Sequence, residues 1–574
     1  MTEIEGGLDE PSELEPAQGS LDLAAPEDVW STADWEKATA AVLRKSRRMS
    51  DDDPDDLVWR KLTRTTLDGI EVTPLGRRAL LDDLATSGRP TRAGDWDIRA
   101  HFAPGTASVV HEEALVDLEG GVTSLWLSLD GDPDLATLLD GVLLDLAPVV
   151  LDAPGAPLAA AESFLAYAGD RELAAGTNLG APAHGSVEDL VAVAGLARSR
   201  GLLGVVVDAT LVHDQGASDA QELGWSMAQG VGVLRTLTSA GVPLEDAAGL
   251  IEFRYAATDE QFPTIAKLRA ARRLWARVLE LSEAATREQR QHVVTSRPMM
   301  SKYDPWVNML RTTVAAFAAG VGGADSVTVL PFDSALGRPD AFGRRIARNT
   351  SALLIDEAHV AHVADPAGGS YAVEKLTDDL ALAGWEVFGA IESGESLDER
   401  IAQTVAAREA QVATRKRPLT GLSEFPNLAE TLPEREPVSG WEDVRPYGAS
   451  FEALRDEPAS SPVFLATMGT VAQHTARATF ASNLLAAGGI AVDVAGPSAD
   501  ADELVAAYAG QPVVCLAGSD PAYAEWAGSA IAALRAAGAT RVIVAGKPRD
   551  DADDSCAMGV DALAFLHRTR EALR

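Results

Sequence analysis

The sequence predicts an α/β protein: a large parallel-sheet domain followed by a smaller doubly wound, flavodoxin-like domain. Three observations carry this. Across residues 65–414 short apolar runs alternate with longer amphipathic ones, the pattern of strands joined by crossover helices. Seven prolines then fall within residues 415–462, which reads as a linker wrapping a surface. From 463 to 574 the alternation resumes over a length that suits one flavodoxin-like unit. Alternation alone fits either a barrel or an open sheet in the large domain, and its length suits an elaborated (β/α)8 (TIM) barrel.

Residues 1–30 hold nine carboxylates and no Lys or Arg, so residues 1–33 are expected to be a flexible acidic tail. A helical arm is expected over 34–64, where "WEKATAAVLRKSRR" sets Trp35, Ala38, Val42 and Leu43 on one side. In the large domain "SLWLSL" (124–129), "AAAESFLAYA" (159–168), "GLLGVVVDAT" (201–210), "GLIEFRYA" (249–256), "QHVVTS" (291–296) and "SVTVLPF" (326–332) are the short apolar runs. "ASDAQELGWSMAQGVGVLRTL" and "TIAKLRAARRLWARVLEL" are helices between them. Asp304-Pro305 starts a helix with Asp as cap, the glycines at 320–323 form a loop, and Gly368-Gly369 before Ser370 form a turn and N-cap. The linker holds one short helix, Phe451–Asp456. The last domain supplies "VFLATM", "IAVDVA", "PVVCLAG" and "RVIVAG" as strands.

Composition excludes several functions. A net charge of −37 argues against nucleic acid, which needs clustered cations. No apolar run is long enough for a membrane span, and the start shows no signal peptide. Cys515 and Cys556 are the only cysteines and lack metal-ligand spacing, which fits two free thiols in a reducing cytoplasm and no metal site.

Four stretches then carry a resemblance. "IARNTSALLIDEAHVAHVADPAGGSYAVEKLT" (346–377), "DPWVNMLRTTVAAFAAGVGGADSV" (304–327), "TIAKLRAARRLWARVLE" and "VDATLVHDQGASDAQELG" are similar to segments of the methylmalonyl-CoA mutase family. The resemblance covers roughly residues 55–574. It implies an acyl-CoA mutase-type (β/α)8 barrel followed by a cobalamin-binding-type flavodoxin-like domain. The implied reaction is the radical interconversion of methylmalonyl-CoA and succinyl-CoA, in propionate metabolism, with adenosylcobalamin supplying the radical. The CoA moiety threads the barrel axis in this family, past small inward-facing residues.

The family's cobalt-ligand loop reads Asp-x-His-x-x-Gly. Aligned on Met468-Gly469, those positions hold Val471, Gln473 and Ala476, and a one-residue slip that recruits His474 puts Ala472 and Arg477 in the other two places. His474 is therefore read as a solvent-facing or locally satisfied loop histidine. In the barrel, the family's His-Cys-Gln-Thr-Ser-Gly-Trp becomes His292-Val-Val-Thr-Ser-Arg-Pro298, and Gln-Ser-Leu-His-Thr-Asn becomes Asp325-Ser-Val-Thr-Val-Leu330. The tyrosine-rich segment and the arginine-bearing insertion between Asp189 and Val212 are missing. His292 is thus a vestigial position, expected to be satisfied by backbone.

The resemblance implies a chain that keeps the fold and loses the sites. The expectation is a non-catalytic small subunit of a heterodimer, stabilising a large catalytic subunit that binds the adenosylcobalamin. Trp35, Trp59 and Trp441 are its candidate interface anchors. Two other readings stand beside it: an active cobalamin-dependent acyl-CoA mutase using His474 and a divergent pocket, and a free-standing binding or chaperone module.

Overall fold

The computed structural model describes residues 29–82, 84, 88–90, 92, 94–131 and 133–574. The expected acidic tail lies almost wholly outside them. Residues up to Arg64, together with Glu71–Leu75, form one unit, and the rest of the chain another.

In the first unit, α1 (Thr32–Lys45) begins two residues before the expected Asp34. Ser31 and Asp34 cap it reciprocally: the Asp34 N–H donates to Ser31 Oγ at 3.2 Å, and the Ser31 N–H to the Asp34 carboxylate at 3.0 Å. The buried side is only partly the one expected: Leu43 is buried and Trp35 packs against the same cluster, but Ala38 is exposed. Ala40 and Leu43 are buried and Val42 is exposed, because α2 (Leu57–Leu62) packs on the Ala40 side. Trp35 and Trp59 meet there with ring centroids 4.6 Å apart. They serve this hairpin's own small core.

The second unit opens with a closed barrel of eight parallel strands among the described residues. These are β1 (Asp97–Phe102), β2 (Ser124–Ser128), β3 (Val149–Asp152), β4 (Asn178–Pro182), β5 (Leu203–Asp208), β6 (Ile251–Ala257), β7 (Arg290–Thr295) and β8 (Ser326–Thr328). β8 pairs in register with both neighbours, Ser326 with His292 of β7 and with Asp97 of β1, which closes the cylinder. β1, β3 and β4 are strands that were not among the expected apolar runs. Residues 159–168 are helix and not strand: they belong to α3 (Pro157–Ala168), where Pro157 fits the first turn and alanines favour helix.

Two long helices cover one side, α4 (Asp219–Ser239) and α5 (Gln261–Leu281). Outward Phe253 of β6 meets Trp275 of α5 with ring centroids 4.8 Å apart. Next come α6 (Pro305–Val321), α7 (Ala341–Ala352), α8 (Tyr371–Glu392) and α9 (Asp398–Ala413). Asp304 does precede the helix at Pro305, but its backbone is left-handed (φ +47°) and its side chain caps nothing. The helix runs through Gly320 and Val321, and the chain turns only at Gly323 (φ +82°).

The proline-rich segment is a strap over the C-terminal mouth of the barrel. The Arg338 N–H, after β8, donates to Glu436 O at 2.7 Å, and Arg297 Nη1, after β7, to Gly440 O at 2.6 Å. The Arg445 and Tyr447 N–H groups donate to Asp214 O and Pro298 O, each at 2.8 Å. After α10 (Ala449–Asp456), the chain enters β9 (Val463–Thr467), α11 (Val471–Ala487), β10 (Val492–Val494), β11 (Val513–Ala517), α12 (Asp520–Ala536), β12 (Arg541–Ala545), β13 (Asp554–Cys556) and α13 (Ala562–Ala572). The strand order is β10-β9-β11-β12-β13, all parallel, the flavodoxin-like order. Both cysteines are free and buried in this domain.

Candidate functional site

Strand alternation sends Asp97, Arg99 and His101 of β1 and Glu252 and Arg254 of β6 into the barrel. They fill it. Arg99 Nη1 lies 2.9 Å from Glu252 Oε2, and neither side chain has any exposed surface. Asp97 sits 3.2 Å from the same guanidinium, and Arg290 of β7 reaches the other Glu252 oxygen at 3.3 Å. Two acids and two arginines thus span the axis.

A second layer lies toward the mouth. Arg254 donates through Nη1 to Asp208 at 2.6 Å and through Nε to His292 Nδ1 at 3.2 Å. Its guanidinium lies over the Trp126 ring, 3.8 Å from the centroid. Burial pushes the Asp208 carboxyl up, but Arg254 and the Thr210 hydroxyl outweigh it and hold it below the usual carboxylate range. His292 is buried; side chains satisfy it, where backbone was expected. Nδ1 accepts from Arg254, so Nε2–H is the donor to Thr328 Oγ1, 2.8 Å away. Burial, then the charges of Arg99 and Arg254, push its basicity well down. It is a neutral imidazole whose proton-accepting nitrogen is already occupied, unsuited to acid catalysis.

Above these layers, under the strap, is a cavity of about 350 Å³ lined by Trp126, Asp152, Asp208, Arg254 and the strap's Trp441. Trp441, a candidate interface anchor, therefore faces the barrel mouth. The sequence reading missed this lining, and it also missed a knot beside it. His213 Nε2 is 2.7 Å from Ser296 Oγ, and His213 Nδ1 is 3.3 Å from Glu222 Oε2. The order resembles nucleophile, base and acid. However, Ser296 is only 1% exposed, and Glu222 is committed to Lys267 at 2.6 Å and to the Ala256 N–H at 2.8 Å. The knot ties α4 and α5 to β6 and leaves no reachable hydroxyl.

In the small domain, Val471, Gln473, His474 and Ala476 do not form a loop. They are the first two turns of α11, which begins directly after Thr470. The reason is local. Gln473 completes a capping box: its Oε1 accepts from the Thr470 N–H at 2.7 Å, and the Gln473 N–H turns back to the cap. Gly469, at φ +79°, makes the strand-to-helix turn, and a Cβ there would strike Gln473 Oε1. His474 points inward, 7% exposed, so it is not solvent-facing, and its buried Nδ1 has no hydrogen-bond partner, so it is not locally satisfied through that atom either.

The methylmalonyl-CoA mutase family model matches residues 188–483. The methylmalonyl-CoA mutase small subunit of Streptomyces virginiae is 44% identical, over 96% of this chain and 98% of its own. The probable small subunit of Mycobacterium tuberculosis (strain ATCC 25618 / H37Rv) is 40% identical, over 89% and 92%. That of Propionibacterium freudenreichii subsp. shermanii is 33% identical, over 96% of each. The chain belongs to the methylmalonyl-CoA mutase family. That family is one of cobalamin-dependent isomerases with a barrel and a flavodoxin-like domain, and both domains are present here. Within this mutase fold, the positions aligned with the ligand loop form a capped helix, and the barrel axis is occupied by ion pairs. Among the described residues no helix is long and apolar enough to cross a membrane.

Proposed function

We propose that this chain is the non-catalytic small subunit of a heterodimeric methylmalonyl-CoA mutase, working in the cytoplasm. A large catalytic subunit binds the adenosylcobalamin and performs the rearrangement, and this chain stabilises it. The observation that carries the reading is the filled axis. A CoA chain threading the barrel would have to displace the Arg99–Glu252 pair, whose side chains are wholly buried. Breaking such a pair costs about 3–5 kcal/mol before any contact is made.

The small domain supports the same reading. A lower cobalt ligand needs an imidazole on an open loop, oriented by a carboxylate through its second nitrogen. Gln473 is an amide engaged in capping, Val471 offers no acceptor, and His474 is buried on the inner face of the helix. These residues do not fit a histidine-ligated corrinoid, and no step of chemistry is assigned to this chain.

The test is a titration of the purified chain with adenosylcobalamin, followed in the visible spectrum, and with methylmalonyl-CoA, followed by calorimetry. No stoichiometric binding is expected of either, and turnover is expected only when the large subunit is added. A histidine-ligated, base-off cobalamin spectrum from this chain alone would overturn the reading.

A further inference from the structure

We infer that the outer face of α6, continued by Phe342 of α7 and the loop at 420–428, is the surface on which the large mutase subunit docks. This rests on the small-subunit reading above and adds to it a location. It also replaces the tryptophan anchors suggested by the sequence, since Trp35 and Trp59 pack on each other and Trp441 lines the barrel mouth.

α6 packs through one face and leaves the other bare. Trp306, Leu310 and Val314 follow at spacings of four, so they form one stripe. Trp306 is 55% and Leu310 68% exposed. The stripe does not end at the helix. Trp306 stacks on Phe332 at 5.0 Å between ring centroids, and Phe332 meets the half-exposed Phe342 edge-on at 5.9 Å. At the Trp306 end, the 420–430 loop is fastened to the helix: Arg311 Nη2 donates to Thr420 O at 2.9 Å, and the Asp304 N–H donates to Glu430. That loop carries Leu428 and Phe425, which is 70% exposed.

Phe425 supplies a second, independent observation. Its backbone is left-handed, φ +54°, a conformation that bulky residues avoid. Nearby, the Gly421 N–H donates to Glu424 O at 2.7 Å, and Leu422 and Ser423 are buried. The loop therefore holds an aromatic ring in water on strained backbone. A ring so placed gains stability when a partner covers it.

Size and charge select the occupant. Taking ~150–250 Å² for each aromatic when bare, the six side chains present roughly 500 Å² of apolar surface. That is the size of the largest apolar patch on a typical monomer, often a functional one, and forms most of the apolar centre of a standard interface, about 800 Å² per partner. A second copy of this chain is disfavoured, because its net charge of −37 would be brought against itself. A different chain is not bound to carry that same charge, and in the reading above the partner is the mutase large subunit. Arg345, 5.3 Å over the Phe342 ring, leaves a cation at the rim for a carboxylate on the partner.

The experiment places the photo-crosslinking residue benzoylphenylalanine at Leu310 in the full chain and irradiates it with the large subunit present. The expected product is a covalent pair of one small and one large chain. In parallel, Leu310→Glu and, separately, Phe425→Asp should each weaken co-elution with the large subunit at least 30-fold, with circular dichroism unchanged; Phe425, on an exposed loop, stands as the variant least able to disturb folding. If the unmodified chains do not pair, the small-subunit reading fails and this inference with it. If they pair but the crosslink joins two small chains, falls within one chain or does not form, or if both folded variants bind within threefold of wild type, the inference alone is overturned.

Discussion

Replacing Glu252 by Gln tests the idea that the barrel is held by charges and not by a ligand. Glu252 and Arg99 attract each other at 2.9 Å, which at an effective dielectric of ~20 is about 6 kcal/mol of gross Coulomb energy. Most of that is offset by desolvation, so the observable is the penalty of breaking the pair, about 3–5 kcal/mol. Glutamine keeps the shape and one acceptor, and Arg290, one-third exposed, can turn toward water. Arg99 cannot, because its side chain has no exposed surface. A loss of about 3 kcal/mol, at the low end of that range, is therefore expected. Urea denaturation with peptide-level hydrogen exchange on β1 and β6 reads it locally, which avoids assuming one transition for two domains. The double variant Arg99→Met/Glu252→Met should cost less than the two single changes added together, since Asp97 keeps Thr123 and Ser124 as donors at 2.5 Å each. A Glu252→Gln barrel within about 0.5 kcal/mol of wild type, about a sixth of the expected penalty, would show that the pair is not structural.

Three further outcomes follow from particular side chains. Gln473→Ala should destabilise the small domain by about 1 kcal/mol through loss of the capping box, seen as faster hydrogen exchange in residues 471–475. His292→Ala should leave heterodimer turnover within about threefold of wild type while lowering barrel stability, and a loss of several orders in kcat would instead place chemistry in this barrel. Asp68 has its carboxyl raised to about 6, by burial first and then by Asp219. The folded state thus binds its proton more tightly than the unfolded one, and this stability is present below pH 3.8 and lost as pH rises through about 6. Asp68→Asn, which keeps an acceptor for the Ser218 hydroxyl, should be more stable than wild type at pH 8 by about 1–3 kcal/mol and indistinguishable at pH 3.5, by denaturation at both pH values.

Legibility followed the physics of each element. Runs such as "GVVVD" and "PVVCLA" announced β5 and β11, because buried parallel strands are continuously apolar. β1, "DIRAHF", did not, since alternate positions carry the charges that fill the barrel. The same alternation in "IEFRYA" was readable as a strand with charged inward positions, but that Arg99 meets Glu252 across 153 residues was not. The helical start at Val471 did have a signal: Thr470-x-x-Gln473 is a capping-box spacing. Alignment to a ligand loop obscured it. The knot of His213, Glu222, Lys267 and Ser296 joins three separate stretches, and no local pattern could have assembled it.

The two departures from an active mutase are independent, and this matters for the reading. The filled axis concerns the acyl-CoA path and is built from β1, β6 and β7; the capped helix concerns the cobalt ligand and is built from residues 470–474 of another domain. Either alone would disable a chain that needed both functions. Restoring one should therefore not restore the other: Gln473→His with Val471→Asp would still leave a barrel whose axis is closed by Arg99 and Glu252. The barrel interior holds cross-strand ion pairs and the helix holds a cap, so the residues at both places are used here for structure. That use suits the proposed role, a subunit that remains folded and presents one surface.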